Sequence, residues 1–337
     1  MVIVLLLPSL NQRVLALETD TKTSVFSIYV AESGNDHNNG LSLATAVASI
    51  NKAYSIIKTT LLYNPKNAEI LIAPGTYTNQ RVHMNWYMPH HSITIKPYDE
   101  SQPKPLITST STWKKVAFKI TTRAQGERTN FIFKNLKFKN MYGAITFYGN
   151  RETEKASSSY NIIDGCEFDN TGMTAFSTIG LINSRYNKLI NNTFMNQQRF
   201  IDNKSTNGLL HAIYIAHNST NNIIKNNYFE KCDGDPIRIR DMSHNNLIEG
   251  NTFYHCGKKA PVSEWFCNAD IRDDCTKTSA ECPSYNNLVE NNQISLQGWI
   301  LNQKYVKTYQ GTPAQKVQGC ITNMKASRII EKNNTRF

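Results

Sequence analysis

The chain has 337 residues, of which 40% are hydrophobic and 19% are charged, a composition that supports a sizeable core and excludes wholesale disorder. Its formal net charge of +11 favours an anionic partner. Because the sequence has no long Lys/Arg run and no nucleic-acid-binding module, we expect an acidic polysaccharide as partner and no nucleic acid.

The N-terminus carries an apolar run that is too short to span a bilayer. Val14 and Ala16 are small residues of the kind that a signal peptidase accepts, so residues 1–16 are predicted to be a signal peptide. A basic segment before the run is missing, and a buried N-terminal segment is the alternative. We therefore expect a secreted or periplasmic protein without stable membrane insertion, with one domain over residues 17–337.

Three stretches follow: "IYVAESGNDHNNG" (28–40), "AVASINKAYSII" (46–57) and "AEILIAPGTY" (68–77). They resemble the opening of secreted right-handed β-helix proteins of the pectate-lyase superfamily. The resemblance implies a capping strand and helix over about residues 28–60, coils over about 68–300 and a C-terminal tail over 301–337. Lyases, hydrolases, epimerases and phage tailspikes share this fold, so the resemblance predicts the fold and leaves the chemistry open. The residues that fit the apolar face of the capping helix are Ala46, Ile50, Ala53 and Ile57.

An eight-residue module then recurs along the chain. Its copies are "NIIDGCEF" (161–168), "NKLINNTF" (187–194), "NIIKNNYF" (222–229), "NLIEGNTF" (246–253) and "NLVENNQI" (287–294), with a weaker copy "FIFKNLKF" (131–138). The steps between their last residues are 30, 26, 35, 24 and 41 residues. A constant module with variable steps is typical of a solenoid whose coils carry loops of different lengths.

The module has apolar residues at its second, third and last places, around a turn rich in Asn and Gly. Such short bent segments fit parallel strands stacked about 4.8 Å apart, with Asn side chains bonding one another along the column. The apolar spacing is not helical, and a strict six-residue repeat is absent. Together with the resemblance, this predicts an all-β fold: a right-handed, single-stranded parallel β-helix with an N-terminal capping helix.

Two successive coils, "HAIYIAHNSTNNIIKNNYF" (211–229) and "DPIRIRDMSHNNLIEGNTF" (235–253), align without gaps at an offset of 24. Strand alternation directs the isoleucines into the core and places Tyr214 and Arg238 in one outward column. Arg240 lies in the next outward column. Two cations on one strand face repel each other unless an anion binds there, which favours a uronate ligand. A solvated strand face is the alternative.

The ends of these strands carry charged and titratable residues. His211 is predicted to lie over Asp235 at the start of the strand, and His217 over Asp241 at its end. The alternative is that both histidines simply cap the strand ends.

The two longest steps flank this pair of coils, so long loops on both sides are expected to form a cleft. Residues 254–285 are predicted to fold beside the arginine face. Within them, "NADIRDDC" (268–275) is expected to repeat the Ile–Arg pattern one coil on, which would add Arg272 to the cluster.

The stretch "GDPIRIRDMSHNNLIEGNTF" (234–253) resembles the part of alginate and chondroitin B lyases that carries their catalytic residues. The resemblance implies Asp235 for the family's acidic residue, Arg240 for its lysine and Arg272 for its arginine. No lysine stands at the base position, one or two residues must be gapped, and Asp273 follows Arg272 in place of His-Gly. The implied reaction is β-elimination from a uronate.

β-Elimination requires a cation at the uronate carboxylate, a base for the C5 proton and an acid for the leaving oxygen. Arginine suits the first task because its planar fork holds a carboxylate and keeps its charge. The candidate catalytic residues are Arg240, Arg238, Tyr214, Arg272, His217 and His211. The candidate substrate-binding residues are Lys231, His255, Lys258 and Asp270.

Related lyases often use Ca²⁺, and the candidate ligands here are Asp233, Asp235 and Asp241. An ordinary turn around Gly234 is the alternative explanation of the first two. A glycoside hydrolase would instead use these carboxylates, or Asp270, as acid and base. A third alternative is a carbohydrate-binding or adhesin protein without catalysis. We expect a monomer.

Seven cysteines are present, four of them between residues 256 and 282. Their spacing does not match a zinc site, so disulfides stapling a long loop are expected. The odd count leaves at least one thiol unpaired unless a bridge forms between chains. Cys232 and Cys256 are predicted to stack one coil apart; the spacing of about 4.8 Å allows a disulfide, but none is expected because parallel Cβ directions make bridging awkward.

Overall fold

A computed structural model shows the architecture of the chain. It describes residues 24–110, 112–122, 128–150, 155–172, 177–197, 200–201, 204–205, 210–267, 275, 281–295, 306–307, 320 and 328–337. The predicted signal peptide at 1–16 and the candidate residues Asp270 and Arg272 lie outside the described residues.

Within the described ranges, the strands form three long parallel sheets. Sheet 1 contains Phe26–Val30, Ala68–Ile72, Ile93–Pro97, Phe131–Lys134, Ile162–Asp164, Lys188–Ile190, Ile223–Lys225, Leu247–Glu249, Asn287–Glu290 and Ile329–Lys332. Sheet 2 contains Thr76–Thr78, Leu106–Thr108, Lys137–Met141, Glu167–Thr171, Thr193–Gln197, Tyr228–Cys232, Thr252–Cys256, Gln293–Ile294 and Thr335–Arg336. Sheet 3 contains Val82–Met84, Val116–Thr121, Gly143–Tyr148, Ser177–Ile182, His211–Ala216, Ile237–Arg240, Val262–Trp265 and Val306–Lys307.

The chain visits the three sheets in turn. One coil, for example, runs through Ile223–Lys225 in sheet 1, Tyr228–Cys232 in sheet 2 and Ile237–Arg240 in sheet 3. Every strand in these sheets pairs in parallel with the equivalent strand of the next coil. The predicted parallel β-helix is therefore confirmed.

Two short pairs of strands lie outside the three sheets. Ser158–Ser159 pairs in parallel with Ser184–Arg185, and Phe200–Ile201 pairs in antiparallel with Lys204–Ser205.

The N-terminal end is closed by a strand and a helix. Phe26–Val30 pairs with Ala68–Ile72 and starts sheet 1, and a 3₁₀ turn at Leu43–Thr45 precedes the α-helix Ile50–Leu61. The helix begins after Ser49, whose hydroxyl accepts a hydrogen bond from the Lys52 amide at 3.1 Å. The buried side chains of this cap are Ile50, Ala53, Tyr54, Ile57 and Leu61, while Ala46 is buried just before the helix. The helix is not long and apolar enough to cross a membrane.

Local bonding holds the corner between sheets 1 and 2 in the same conformation from coil to coil. Asn227 Nδ2 donates to Asn251 Oδ1 at 3.0 Å and to the Leu189 carbonyl, while its Oδ1 accepts from Asn192. The full column of bonded amides is Asn192, Asn227, Asn251, Asn292 and Asn334. A second column, which was not predicted as such, is formed by the first Asn of each module: Asn161, Asn187, Asn222, Asn246 and Asn287. These bonds satisfy polar groups that are buried inside the solenoid.

Phenylalanines at the last place of the module form a stack in the core. Neighbouring rings lie 4.8 to 5.0 Å apart and are nearly parallel. The stacked residues are Phe138, Phe168, Phe194, Phe229 and Phe253. The predicted in-register stacking of the modules is thereby confirmed at the level of side chains.

The C-terminal residues extend the solenoid. Ile329–Lys332 pairs with Asn287–Glu290, and Thr335–Arg336 pairs with Gln293–Ile294. Residues 328–337, assigned by the sequence to a tail, thus add strands of a further coil. The stretch "RIIEKNNTRF" repeats the apolar pair and the Asn turn of the module, a signal that was missed.

Two disulfides, Cys267–Cys275 and Cys282–Cys320, staple the long connections near this end. Cys232 and Cys256 are register partners in sheet 2 and both are free thiols, as predicted. Cys166 is the other buried free thiol among the described residues.

Candidate functional site

The strand Ile237–Arg240 lies in sheet 3 with its isoleucines buried in the core. Tyr214 is the register partner of Arg238 on the preceding coil, as predicted. On the following coil, Ser263 pairs with Arg238 and Trp265 pairs with Arg240. The strand position predicted for Ile271–Arg272 is therefore occupied by residues 262–265, because the coil returns to sheet 3 earlier than the Ile–Arg pattern suggested.

Arg238 is paired inside the protein. Its Nη2 donates to Asp235 Oδ2 at 3.1 Å, and Asp235 Oδ1 accepts from the backbone amides of Lys259 and Ala260. Burial raises the pKa of Asp235, but Arg238 and these amides outweigh burial and hold the pKa of that carboxyl below its ordinary value. Asp235 is thus an ionised partner of Arg238, held in place on three sides.

Arg240 has three partners on the neighbouring coils. Its Nε donates to Glu281 Oε2 at 2.5 Å, its Nη1 donates to the Tyr214 hydroxyl at 3.0 Å, and its Cζ lies 4.3 Å from the Trp265 ring centroid. The side chain remains 25% exposed. Glu281 also accepts from the Cys267 amide at 3.0 Å, so its carboxylate is fixed in position.

The expectation that the arginine pair needs a bound anion is therefore wrong: Asp235 and Glu281 offset both charges. Glu281 was not singled out from the sequence, although a signal existed. It follows Arg240 by 41 residues, the same offset that separates the last two modules. A residue at that offset lies one coil further on.

His217 and Asp241 form a dyad at the end of the strand, as their stacking predicted. His217 Nδ1 lies 2.8 Å from Asp241 Oδ2, and Asp241 Oδ1 accepts from the Cys282 amide at 3.2 Å. A carboxylate oxygen accepts, so Nδ1 donates in this hydrogen bond, and Nε2 is the ring nitrogen that this bond does not use. Both residues have left-handed backbone, with φ of 52° and 46°, which turns the chain sharply out of the strand.

His211 and Tyr214 are predicted acid–base candidates whose environments differ from that of His217. Burial, aided by Arg238, lowers the pKa of His211 to about 3, and its Nδ1 donates to the Asp235 carbonyl at 2.7 Å. His211 is thus a neutral structural donor at ordinary pH. Burial raises the pKa of Tyr214, although Arg240 acts in the opposite direction, so the phenol keeps its proton.

The predicted substrate-binding residues that the structure describes, Lys231, His255 and Lys258, do not lie on the arginine strand. Lys231 is exposed and pairs with Glu230 at 3.3 Å, and the ring of His255 stacks on Tyr254. Lys258 is exposed in the turn that precedes the Lys259 amide bonded to Asp235. Lys231 and His255 thus lie on neighbouring strands of sheet 2 and Lys258 in the turn that follows, whereas the dyad lies at the end of the arginine strand in sheet 3.

The predicted Ca²⁺ ligands do not converge. Asp235 and Asp241 stand before and after one extended strand, on the order of 15–20 Å apart, so one ion cannot bind both. Asp233 is buried, which raises the pKa of its carboxyl. In the described part of the chain, the group whose ligand atoms all lie within 4.8 Å is His217, Asp241 and Glu281. That set includes a nitrogen and fits the all-oxygen preference of Ca²⁺ poorly.

The long connection after sheet 2 forms one wall of the site. In its described part, Trp265 and Glu281 contact Arg240, and the Cys282 amide bonds to Asp241. This confirms that the segment folds beside the arginine face. The segment also contributes the strand Val262–Trp265, so it is partly a coil of the solenoid.

Comparisons with known proteins agree with this geometry at the level of the fold. The family profile described as "Right handed beta helix region" matches residues 120–295, a little over half of the chain. No curated protein sequence matches the chain significantly.

The solved structures that are similar to the chain include an alginate lyase, a glucanase and XylC. An alginate lyase from Paenibacillus sp. str. FPU-7 matches with a TM-score of 0.56 and 13% identity, over 84% of this chain and 93% of the lyase. The catalytic domain of a GH87 alpha-1,3-glucanase in complex with nigerose matches with a TM-score of 0.55 and 13% identity, over 86% of this chain and only 43% of the glucanase. XylC in complex with xylose matches with a TM-score of 0.50 and 11% identity, over 84% of this chain and 68% of XylC. At such identities the similarity shows the fold alone.

Proposed function

This chain belongs to the family of right-handed β-helix proteins, and on that premise we propose that it is a secreted polysaccharide lyase that cleaves an acidic, uronate-containing polysaccharide by β-elimination. The observation that carries the proposal is the His217–Asp241 dyad, at 2.8 Å, next in sequence to an arginine that bonds Tyr214 at 3.0 Å. Glu281 supports a shared role for these groups, because its carboxylate pairs with Arg240 and lies within 4.8 Å of the ligand atoms of His217 and Asp241.

Each group has a task in β-elimination. His217 Nε2 takes the proton from C5 of the uronate, while Asp241 holds the ring and stabilises the imidazolium that forms. Arg240 stabilises the charge that develops on the uronate carboxylate through Nη2, because Glu281 takes its Nε and Tyr214 takes its Nη1. Tyr214, which keeps its proton, donates it to the leaving glycosidic oxygen.

A panel of alginate, pectate, glucuronan and glycosaminoglycans tests this proposal. A lyase leaves an unsaturated uronate, which is detected by its ultraviolet absorbance. His217→Gln should lower kcat by about 100-fold or more, as expected for loss of a general base. His37→Gln, which changes an exposed histidine of the N-terminal cap, is the matched control and should leave kcat unchanged. Full activity in folded His217→Gln would refute the assignment of the base.

A glycoside hydrolase is the second candidate, because oxygens of Asp241 and Glu281 lie within 4.8 Å of each other. Retaining glycosidases place two carboxyl groups about 5 Å apart. Here, however, both carboxylates are occupied within the protein, Glu281 by Arg240 and Asp241 by His217. New reducing ends without ultraviolet absorbance would identify the hydrolase, and binding without either product would identify a carbohydrate-binding protein.

A further inference from the structure

A groove of about 440 Å³ lies on the outer side of sheet 1, whereas the arginine strand belongs to sheet 3. Its floor contains Ile132 and Ile162, which are register partners on successive coils and are half-buried. Tyr160 and Tyr186 form one side, and the segment around His90 and His91 also lines it. The proposed lyase chemistry uses none of these residues.

The two tyrosines occupy a corner position where four neighbouring coils have asparagine. The register of sheet 1 aligns this position through successive coils. The residues there are Asn130, Tyr160, Tyr186, Asn221, Asn245 and Asn286, and all of them have φ between 49° and 61°. Asn tolerates this left-handed backbone, whereas a bulky side chain is disfavoured there. The fold therefore does not explain Tyr at these two corners, and a role for the exposed rings does.

The tyrosines form an ordered platform with an arginine. The Tyr160 and Tyr186 rings are stacked, with centroids 5.1 Å apart and planes at 15°, and Arg128 Cζ lies 3.8 Å from the Tyr160 centroid. The rings remain 37% and 47% exposed. Stacking keeps the rings and the guanidinium in fixed positions, so a ligand that binds there loses little side-chain entropy from the protein.

The charge of the groove has one sign. Among the residues that the structure describes, the charged side chains of its lining are Arg128 and Lys188, and His90 and His91 lie beside them. Lys188 is exposed and stands in the same outward column as Ile162. Apolar and aromatic surface bordered by cations matches a sugar ring that carries an acidic group, because the ring offers C–H faces and the acid offers a partner for the cations.

We propose that this groove is a second, non-catalytic binding site for an anionic sugar unit of a polysaccharide. Tyr160, Tyr186 and the two isoleucines contact the sugar ring, and Arg128 and Lys188 bind its carboxylate or sulfate. The groove holds a long polysaccharide on the protein while another part of the same polysaccharide occupies the strand site, formed by Tyr214, Arg240 and the His217–Asp241 dyad. Binding at one site raises the effective concentration of polysaccharide at the other, which increases the affinity for the polymer. Only the identity of the polymer rests on the proposed lyase activity.

The test replaces both tyrosines with asparagine, the residue that four neighbouring coils have at this corner. The Tyr160→Asn/Tyr186→Asn variant is expected to fold as well as the unchanged protein, because Asn suits this corner. Affinity electrophoresis in gels that contain alginate, polygalacturonate or chondroitin sulfate measures binding, with neutral dextran as the comparison polymer. The double variant should bind about tenfold more weakly to the anionic polymer that retards the unchanged protein in the gel. Arg128→Gln should weaken binding as well, and added salt should weaken binding of the unchanged protein.

Tyr63→Asn is the matched control, because this tyrosine is almost fully exposed just after the capping helix and is not one of the residues that line the groove. It should bind as the unchanged protein does. Equal binding by the double variant and the unchanged protein would overturn the proposal, as would equal retardation by dextran or no retardation by any anionic polymer. The proposal is separable from the lyase assignment: His217→Gln should keep the retardation, and the double variant should keep its turnover of short oligosaccharides. If the anionic polymer no longer retards His217→Gln in the gel, the polymer binds at the strand site alone, and the proposal of a second site is overturned as well.

Discussion

Replacing Arg240 with alanine should destabilise the fold far more than loss of a surface charge would. The guanidinium pairs with Glu281 at 2.5 Å, bonds the Tyr214 hydroxyl at 3.0 Å and stacks on Trp265. Glu281 is buried, so Arg240→Ala leaves a buried carboxylate whose described partner is then the Cys267 amide. Removing one partner of a buried ion pair costs about 3–5 kcal/mol, and we expect the free energy of unfolding to fall by that amount.

Urea denaturation followed by circular dichroism measures the change. Lys225→Ala is the matched control: Lys225 pairs with Glu249 at 2.9 Å, but its side chain is 42% exposed. An exposed pair contributes about 0–1 kcal/mol, so this variant should unfold near the midpoint of the unchanged protein. Adding Glu281→Gln to Arg240→Ala should restore about 2 kcal/mol, because the stranded charge is removed.

The result bears directly on how kinetics at this site are read. If Arg240→Ala is no less stable than Lys225→Ala, the internal pairing of Arg240 is refuted, and the guanidinium is free to act on substrate alone. If the stability loss is found, the kcat of Arg240→Ala reports catalysis only at a temperature where the variant is folded. Arg240→Lys then separates the roles, because a lysine keeps the charge beside Glu281 but cannot reproduce the planar fork.

Three other results are expected. Asn227→Leu should lower the free energy of unfolding by about 4 kcal/mol, at about 1 kcal/mol for each of the four hydrogen bonds of the Asn227 side chain. Asn51→Ala, which changes an exposed asparagine, should alter it by less than about 0.5 kcal/mol, and similar urea midpoints for the two variants would contradict this prediction. The pKa of His211 is about 3 in the folded protein and about 6.5 in the unfolded chain, so the unfolded chain binds the extra proton and the free energy of unfolding should decline as pH falls below 6.5, by about 3 kcal/mol at pH 4.5. His211→Gln should flatten this decline, and an unchanged decline in that variant would rule out His211 as its source. If calcium is required, EDTA should abolish turnover of the acidic polysaccharide and added Ca²⁺ should restore it; full turnover in EDTA would contradict the calcium prediction.

Much of the solenoid was predictable from the sequence because its coils stack in parallel and in register. Once one offset is known, it predicts which residues are neighbours on the next coil. The offset of 24 correctly placed Tyr214 beside Arg238, His217 beside Asp241 and Cys232 beside Cys256. The Asn turn was readable for the same reason, since a short amide can satisfy the same backbone groups at the same corner of every coil.

The sequence alone determined the solenoid, its capping helix and the face on which the arginines lie, because the alternation of strand residues and the module repeat are local properties. Only the tertiary structure showed that Asp235 and Glu281 neutralise those arginines, that residues 262–265 occupy the next strand position, and that Tyr160 and Tyr186 stack. The partners of a charged side chain depend on which residues the connections of unequal length return to the neighbouring coil beside it. That return is set by packing across the coils, and the sequence pattern within a single coil does not record it.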